Sequence, residues 1–190
     1  MKNGGATVRV IAGEFGGRRL QAVPGRQTRP TADKVKGAIF NVLRNKVAGS
    51  RVLDLFAGTG SLAIEAISRG AASAVLVEAN RLAQQVAAAN LNSVGAHSRA
   101  RLVTSDAFQY LNKLEDEVFD LIFLDPPYRQ GLAARALVRL ADPCRLSQEG
   151  VIVVETALEE ELATVGPFVA RKTGVYGDTK IWYLQRRDLE

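Results

Sequence analysis

Cysteine and histidine occur once each in this 190-residue chain, as Cys144 and His97. A single cysteine excludes an internal disulfide, and one Cys and one His so far apart leave no zinc site of the N/S kind. Cys144 reads as a half-buried apolar filler. His97 sits in a polar stretch and takes no role. No apolar run approaches the ~20 residues that a membrane helix needs. The basic, Gly-rich residues 1–25 lack the apolar segment of a signal peptide. These absences are compatible with a reducing cytoplasm. There is no internal repeat and no low-complexity tract. What remains is an ordinary globular composition, 47% hydrophobic and 24% charged, at a length that suits one domain with a short appendage.

The net charge of +5 is unevenly spread. Residues 1–51 hold eleven lysines and arginines against Glu14 and Asp33, a net of +9, whereas the rest of the chain nets −4. Positive charge concentrated in the first quarter is the footprint of a polyanion-binding surface, although a solvated basic face gives the same pattern.

Residues 8–12 and 18–22 read as two short strands joined by a turn at Gly16-Gly17. Residues 24–30 form an irregular basic loop, and Thr31 can cap a helix starting near Ala32, with Val35, Ile39, Val42 and Leu43 on one face. From Arg51 the pattern becomes alternating strand and helix. Strands are expected at 51–55, 74–77, 101–104, 119–124 and 150–155. Helices are expected at 62–68, 81–94, 107–114, 132–140 and 158–165. Two final strands, 168–175 and 180–185, turn through Gly177-Asp178. Repeated βα units imply a mostly parallel sheet covered on both faces.

The run Asp54-Leu55-Phe56-Ala57-Gly58-Thr59-Gly60 lies where the first strand meets its helix. Glycines there let the backbone turn tightly and approach a ligand. Gly58 to Ala63 also satisfies the G-x-G-x-x-G/A dinucleotide fingerprint, so the loop alone is ambiguous. Glu78 ends the second strand, where a carboxylate can accept both hydroxyls of a ribose. Asp106 ends the third, placed to accept an adenine amino group. Asp54 would repel a pyrophosphate but attract an ammonium. Together the three acids fit adenosine carrying a cationic amino acid, as in S-adenosylmethionine (AdoMet), better than NAD. The plainer reading of each is a helix cap.

Asp125-Pro126-Pro127-Tyr128 follows the most apolar strand, at the carboxyl end where open α/β sheets bind ligands. The prolines stiffen the backbone and remove two N–H donors, leaving carbonyls and the Asp125 carboxylate as acceptors. An exocyclic amino group of guanine, adenine or cytosine offers two donors to such a site. Held by both, its nitrogen can leave conjugation and present a lone pair to a methyl donor in line. Asp125 can then take the released proton, and Tyr128 can stack on the base, which must be unpaired or flipped out.

Asp125 to Tyr128, paired with Asp54 to Gly60, resembles the class I AdoMet-dependent amino-methyltransferases. Several further runs are similar to the RsmD family: Val10-Ile11-Ala12-Gly13 with Gly16-Gly17-Arg18-Arg19-Leu20, then Arg29-Pro30-Thr31-Ala32-Asp33-Lys34-Val35-Lys36 and Phe40-Asn41. Ser68-Arg69-Gly70-Ala71-Ala72 and Val175-Tyr176-Gly177-Asp178-Thr179 extend the likeness over essentially the whole chain. The resemblance implies a Rossmann-like α/β fold with a seven-stranded, mostly parallel sheet, one antiparallel strand, and an N-terminal β-hairpin and helix. Residues 1–50 would be a basic extension that contacts RNA and covers the cofactor. Residues 51–190 would be the AdoMet-binding domain. The implied activity is methylation of a guanine N2 in 16S rRNA, with the substrate in an assembling small ribosomal subunit, and with no membrane or metal. No hydrophobic stripe demands a protein partner, so a monomer is the default.

By motif position, Asp54, Gly58 and Gly60 would line the methionine end of AdoMet, Glu78 the ribose and Asp106 the adenine. Phe56, Ala57, Ala79 and Ala107 would be flanking contacts, and Thr31 part of the cover. Arg18, Arg19, Arg26, Arg29, Lys34 and Lys36 become candidates for phosphate contacts. Gly37 departs from the family, which usually has Glu there, and a helical glycine costs about 1 kcal/mol relative to alanine. The acidic runs 115–117 and 159–161 read as solvated surface. Three alternatives stay open: adenine-N6 or cytosine-N4 methylation of DNA or RNA, an NAD-dependent oxidoreductase, and a non-catalytic RNA-binding assembly factor.

Overall fold

Short strands, each followed by a helix, build the first half of the central sheet. The computed structural model describes residues 8–24, 32–162 and 164–187. Strands β3 (Arg51–Asp54), β4 (Ser73–Glu78), β5 (Ala100–Thr104) and β6 (Phe119–Leu124) alternate with helices α2 (Ser61–Ser68), α3 (Arg81–Val94), α4 (Ala107–Lys113) and α5 (Leu132–Ala141). After them come β7 (Leu146–Ala157), β8 (Phe168–Tyr176) and β9 (Thr179–Arg186). The sheet order is β5-β4-β3-β6-β7-β9-β8. All neighbours are parallel except at β9, which runs antiparallel to both β7 and β8. This is the seven-stranded sheet with one antiparallel strand that the sequence predicts.

Each face of the sheet carries its own core. Leu121, Phe123, Val151 and Val153 pack with Val35, Ile39 and Phe40 of α1 (Ala32–Leu43), with α2, and with Leu91 and Val94 of α3. On the opposite face Ile122, Leu124, Ile152 and Val154 pack against α4 and α5. Central β6 is therefore buried from both sides along its apolar run Leu121 to Leu124. Among the described residues no helix is long and apolar enough to cross a membrane.

Two expected elements differ. The N-terminal ladder is shortened to β1 (Val8–Arg9) and β2 (Arg19–Leu20). Beyond it the amides of Ile11 and Ala12 donate to the Glu65 carboxylate at 2.7 and 3.1 Å, and that of Gln21 to Asn90 Oδ1 at 2.7 Å. Likewise the helix expected at 158–165 is absent. The Ala157 amide donates to the Glu160 side chain and the Leu158 amide to the Asp178 carbonyl. Backbone donors captured by distant side chains cannot serve the hairpin ladder.

The N-terminal segment lies directly on α2. Phe15 N donates to Ser68 Oγ, which itself donates to the Ala12 carbonyl. At Gly13, φ is +88° and a Cβ would sit 1.9 Å from the Ser68 carbonyl oxygen, so only glycine fits.

Candidate active site

The carboxyl ends of β3, β4, β6 and β7 open into a cavity of about 700 Å³, within the range of small-molecule sites. Side chains from each strand end line it: Phe56 after β3, Glu78 and Ala79 at β4, and Asp125 to Tyr128 after β6. Asp106 and Ala107 enter from the start of α4. Val35, Lys36 and Ile39 of α1 form a further wall. Phe56 and Phe108 meet edge-on, 6.4 Å between centroids, giving the cavity an apolar flank.

Glu78 sits between two backbone donors. Its Oε2 accepts from Gly58 N at 2.8 Å and its Oε1 from Asn80 N at 2.7 Å. Each oxygen retains a second acceptor site. Gly58 has φ +54° and Gly60 +77°, and a Cβ on Gly60 would lie 2.9 Å from Leu76 Cδ2. The Ala57 amide donates to the Val77 carbonyl and that of Gly60 to Ala57. With Gly58 N on Glu78, these three loop amides are spent inside the protein rather than aimed at a phosphate. That disfavours a pyrophosphate cradle.

Asp106 combines the two roles its position allows. Its Oδ1 caps α4, accepting from Phe108 N at 2.9 Å and Gln109 N at 3.0 Å, and the residue also lines the cavity. Asp54, Ala57, Gly58 and Gly60 lie behind the cavity wall rather than on it. The Asp54 side chain is turned into the protein, where its Oδ2 accepts from Ala63 N of α2 at 3.3 Å. Burial, and secondarily the charge of Glu78, push its carboxyl up to about 7, although the Ala63 bond opposes this. A buried carboxyl held near neutrality beside a second carboxylate is a place where a nearby cation gains most.

Pro126 is buried, while Asp125 and Pro127 are exposed toward the cavity. Tyr128 is more constrained than a free stacking platform. Its hydroxyl donates to Glu155 and lies 3.2 Å from Thr179 Oγ1, and burial pushes its phenol above the usual range. Glu155 and Thr179 also line the cavity, as does Asn80, which caps α3. Sequence reasoning missed all three, because each sits in an ordinary strand or turn context.

The basic candidates divide. Arg18, Arg19 and Lys34 are exposed, with the Arg18 guanidinium 5.5 Å from the Phe15 ring centroid. Lys36 is corrected: it is only 4% exposed, donates to the Arg9 carbonyl at 2.5 Å and lies 3.8 Å from Glu65. Burial lowers its pKa, and an ammonium engaged this way inside the protein is not a surface phosphate contact. Arg26, Arg29 and Thr31 lie outside the described residues. The Asn90 amide, almost fully buried, donates to the carbonyls of both Gln21 and Thr59, tying the N-terminal segment to the glycine loop.

Comparison with known proteins places this geometry among relatives. The family model described as Conserved hypothetical protein 95 matches residues 8–185. YlbH of Bacillus subtilis is 40% identical over 184 residues, 95% of this chain and 100% of that protein. Ribosomal RNA small subunit methyltransferase D of Escherichia coli strain K12 is 37% identical over 163 residues, covering 86% of this chain and 81% of that protein. Among solved structures, yhhF of Escherichia coli superposes with a TM-score of 0.86 at 35% identity, covering 96% of this chain and 99% of that one.

Proposed function

The chain belongs to the family described as Conserved hypothetical protein 95, and from that membership we propose that it methylates the exocyclic N2 amino group of a guanine in small-subunit (16S) ribosomal RNA, with AdoMet as methyl donor. Its relatives named Ribosomal RNA small subunit methyltransferase D support the RNA substrate. The observation that carries the chemistry is the shared cavity. It joins Glu78 and Asp106, suited to ribose and adenine, to the acceptor-rich Asp125-Pro126-Pro127-Tyr128.

AdoMet, when bound, supplies an electrophilic methyl group. Glu78 and Asp106 would hold its nucleoside, and Asp54, through the loop that it underpins, would favour its cationic end. Asp125 and the proline-stiffened carbonyls would hold both amino hydrogens, drawing the nitrogen out of conjugation, and Asp125 would receive the proton released. The near-attack alignment supplies most of the acceleration, with proton acceptance a further factor. In this reading residues 1–50 form the RNA-contacting extension and residues 51–190 the cofactor-binding domain. The substrate is presented within an assembling small subunit, in the cytoplasm.

The test is methyl transfer from labelled AdoMet to unmethylated small subunits, naked small-subunit rRNA and DNA, followed by digestion to nucleosides. N2-methylguanine is expected. Asp125→Ala is expected to abolish transfer while leaving AdoMet bound. Label in adenine or cytosine would overturn the base assignment, and AdoMet binding without transfer to any acceptor would favour a binding role.

A further inference from the structure

Glu155 lines the active cavity, yet it has no part in the mechanism above. β6 and β7 run parallel with Leu124 opposite Val154. Asp125, the first residue past β6, therefore leaves the sheet beside Glu155, which is still held within β7, at the ~4.8 Å spacing of neighbouring strands. The Glu155 backbone is fixed by its pairing with Ile181 of β9. Its Oε1 accepts from the Tyr128 hydroxyl, and that hydroxyl touches Thr179, itself buried at the start of β9. The result is a preorganised carboxylate beside the group that receives the amine. A carboxylate has about four acceptor sites across its two oxygens and can accept from several donors at once.

The bases differ in what adjoins the reactive amino group. In guanine the N2 amine is flanked by N3, an acceptor, on one side and by N1–H, a donor, on the side that a second carboxylate would face. In adenine and cytosine the ring nitrogens next to the amine, N1 and N3, are acceptors. A second carboxylate flanking Asp125 therefore meets guanine with a charge-assisted hydrogen bond. Against adenine or cytosine it faces a lone pair across a desolvated gap, leaving two acceptors opposed and unpaired. Sites built to bond a substrate N–H reject analogues lacking it far more strongly than apolar pockets reject a change in size. We propose that Glu155 is the residue that selects guanine, accepting the hydrogen bond from N1–H while Asp125 and its neighbouring carbonyls hold the N2 amine. The Tyr128 hydroxyl bonds Glu155, but the sheet already fixes the Glu155 backbone, so the preference does not depend on that hydroxyl. This assignment rests on the guanine-N2 reading given above.

The test replaces the methylated guanine, once located, with 2-aminopurine, which keeps the N2 amine but presents a lone pair at N1. The wild-type chain is expected to lose kcat/KM on this RNA by about 100-fold or more. Glu155→Gln, whose amide can donate to N1, should reduce that discrimination to within about tenfold, mainly by losing rate on guanine, with AdoMet affinity unchanged. Glu155→Asp, which keeps the charge, and Tyr128→Phe, which keeps Glu155, should both retain the preference. A merely structural role for Glu155 predicts the reverse, with discrimination unaltered in Glu155→Gln. Should Glu155→Gln fail to bind AdoMet, Glu155→Ala makes the same comparison, and a preference left at the wild-type level in it overturns the assignment. Equal wild-type rates on the two RNAs, or loss of preference in Tyr128→Phe alone, overturn the assignment. N2-methylguanine formed with unaltered discrimination in Glu155→Gln sinks this inference and leaves the guanine reading standing. Label found only in adenine or cytosine sinks both.

Discussion

Asp54 is a carboxyl whose environment opposes its charge. Burial and the nearby Glu78 raise it from 3.8 to about 7, so between about pH 4 and 7 the folded chain binds a proton that the unfolded chain has released. The sign follows from linkage: stability contributed by this group falls as pH rises through that window and levels off above it. Asp54→Asn should therefore lose less stability than wild type between pH 5 and pH 8, read from urea midpoints. Equal losses would exclude Asp54 as the titrating group. A cationic ligand favours the ionised form, so AdoMet binding should tighten from pH 6 to pH 7 and release a proton, detectable by calorimetry in buffers of different ionisation enthalpy.

At the scale of elements, Glu65 of α2 holds the N-terminal segment against the sheet domain. Fully buried, it accepts from Ile11 N, Ala12 N and Arg69 Nε and faces the buried Lys36. Glu65→Ala strips three donors of their acceptor and leaves Lys36 without its counter-charge. Its expected cost is about 3–5 kcal/mol, with residues 8–24 becoming open to proteolysis. Denaturant midpoints and limited digestion measure both effects. Gly37 of α1 gives the opposite case: a Cβ there meets nothing within 4 Å, so Gly37→Ala should stabilise by about 1 kcal/mol in the same denaturation assay. These contacts also explain what was legible beforehand. Helix α3 falls at Arg81–Val94, the range its periodicity predicts, and the strands flanking the glycine loop were short runs of clear length. The shortened hairpin was illegible, because Glu65 and Asn90 capture amides 53 to 69 residues away. In the site, Asp125 to Tyr128, Glu78 and Asp106 declared themselves at strand ends. Glu155 and Thr179 looked like any alternating strand residues until the sheet order brought them to Tyr128.

For the molecule as a whole, the positive charge of the first quarter survives folding as a surface, though not all of it. Arg18 and Arg19 stay exposed on the hairpin and Lys34 on α1, while Lys36 is withdrawn into the protein. Arg18→Ala with Arg19→Ala should weaken RNA binding and flatten its salt dependence by about 0.7–0.9 in log–log slope per lost phosphate contact. An unchanged slope in filter-binding titrations at several salt concentrations would remove the hairpin from the RNA surface.

The strand order carries a consequence for biosynthesis. β8 borders only β9, and β9 is the later of the two in the chain. As the polypeptide emerges, β8 is made with no neighbour to join, and Tyr128 waits for a hydroxyl from Thr179 that belongs to the final strand. A nascent chain that stops short of β9 already carries the glycine loop and Asp125 to Tyr128, yet its cavity lacks Thr179 and its sheet has an uncovered edge at β7. Acquisition of the site is thus a late folding event that depends on non-local pairing, and a ribosome stalled before residue 179 would display an inactive, edge-exposed intermediate.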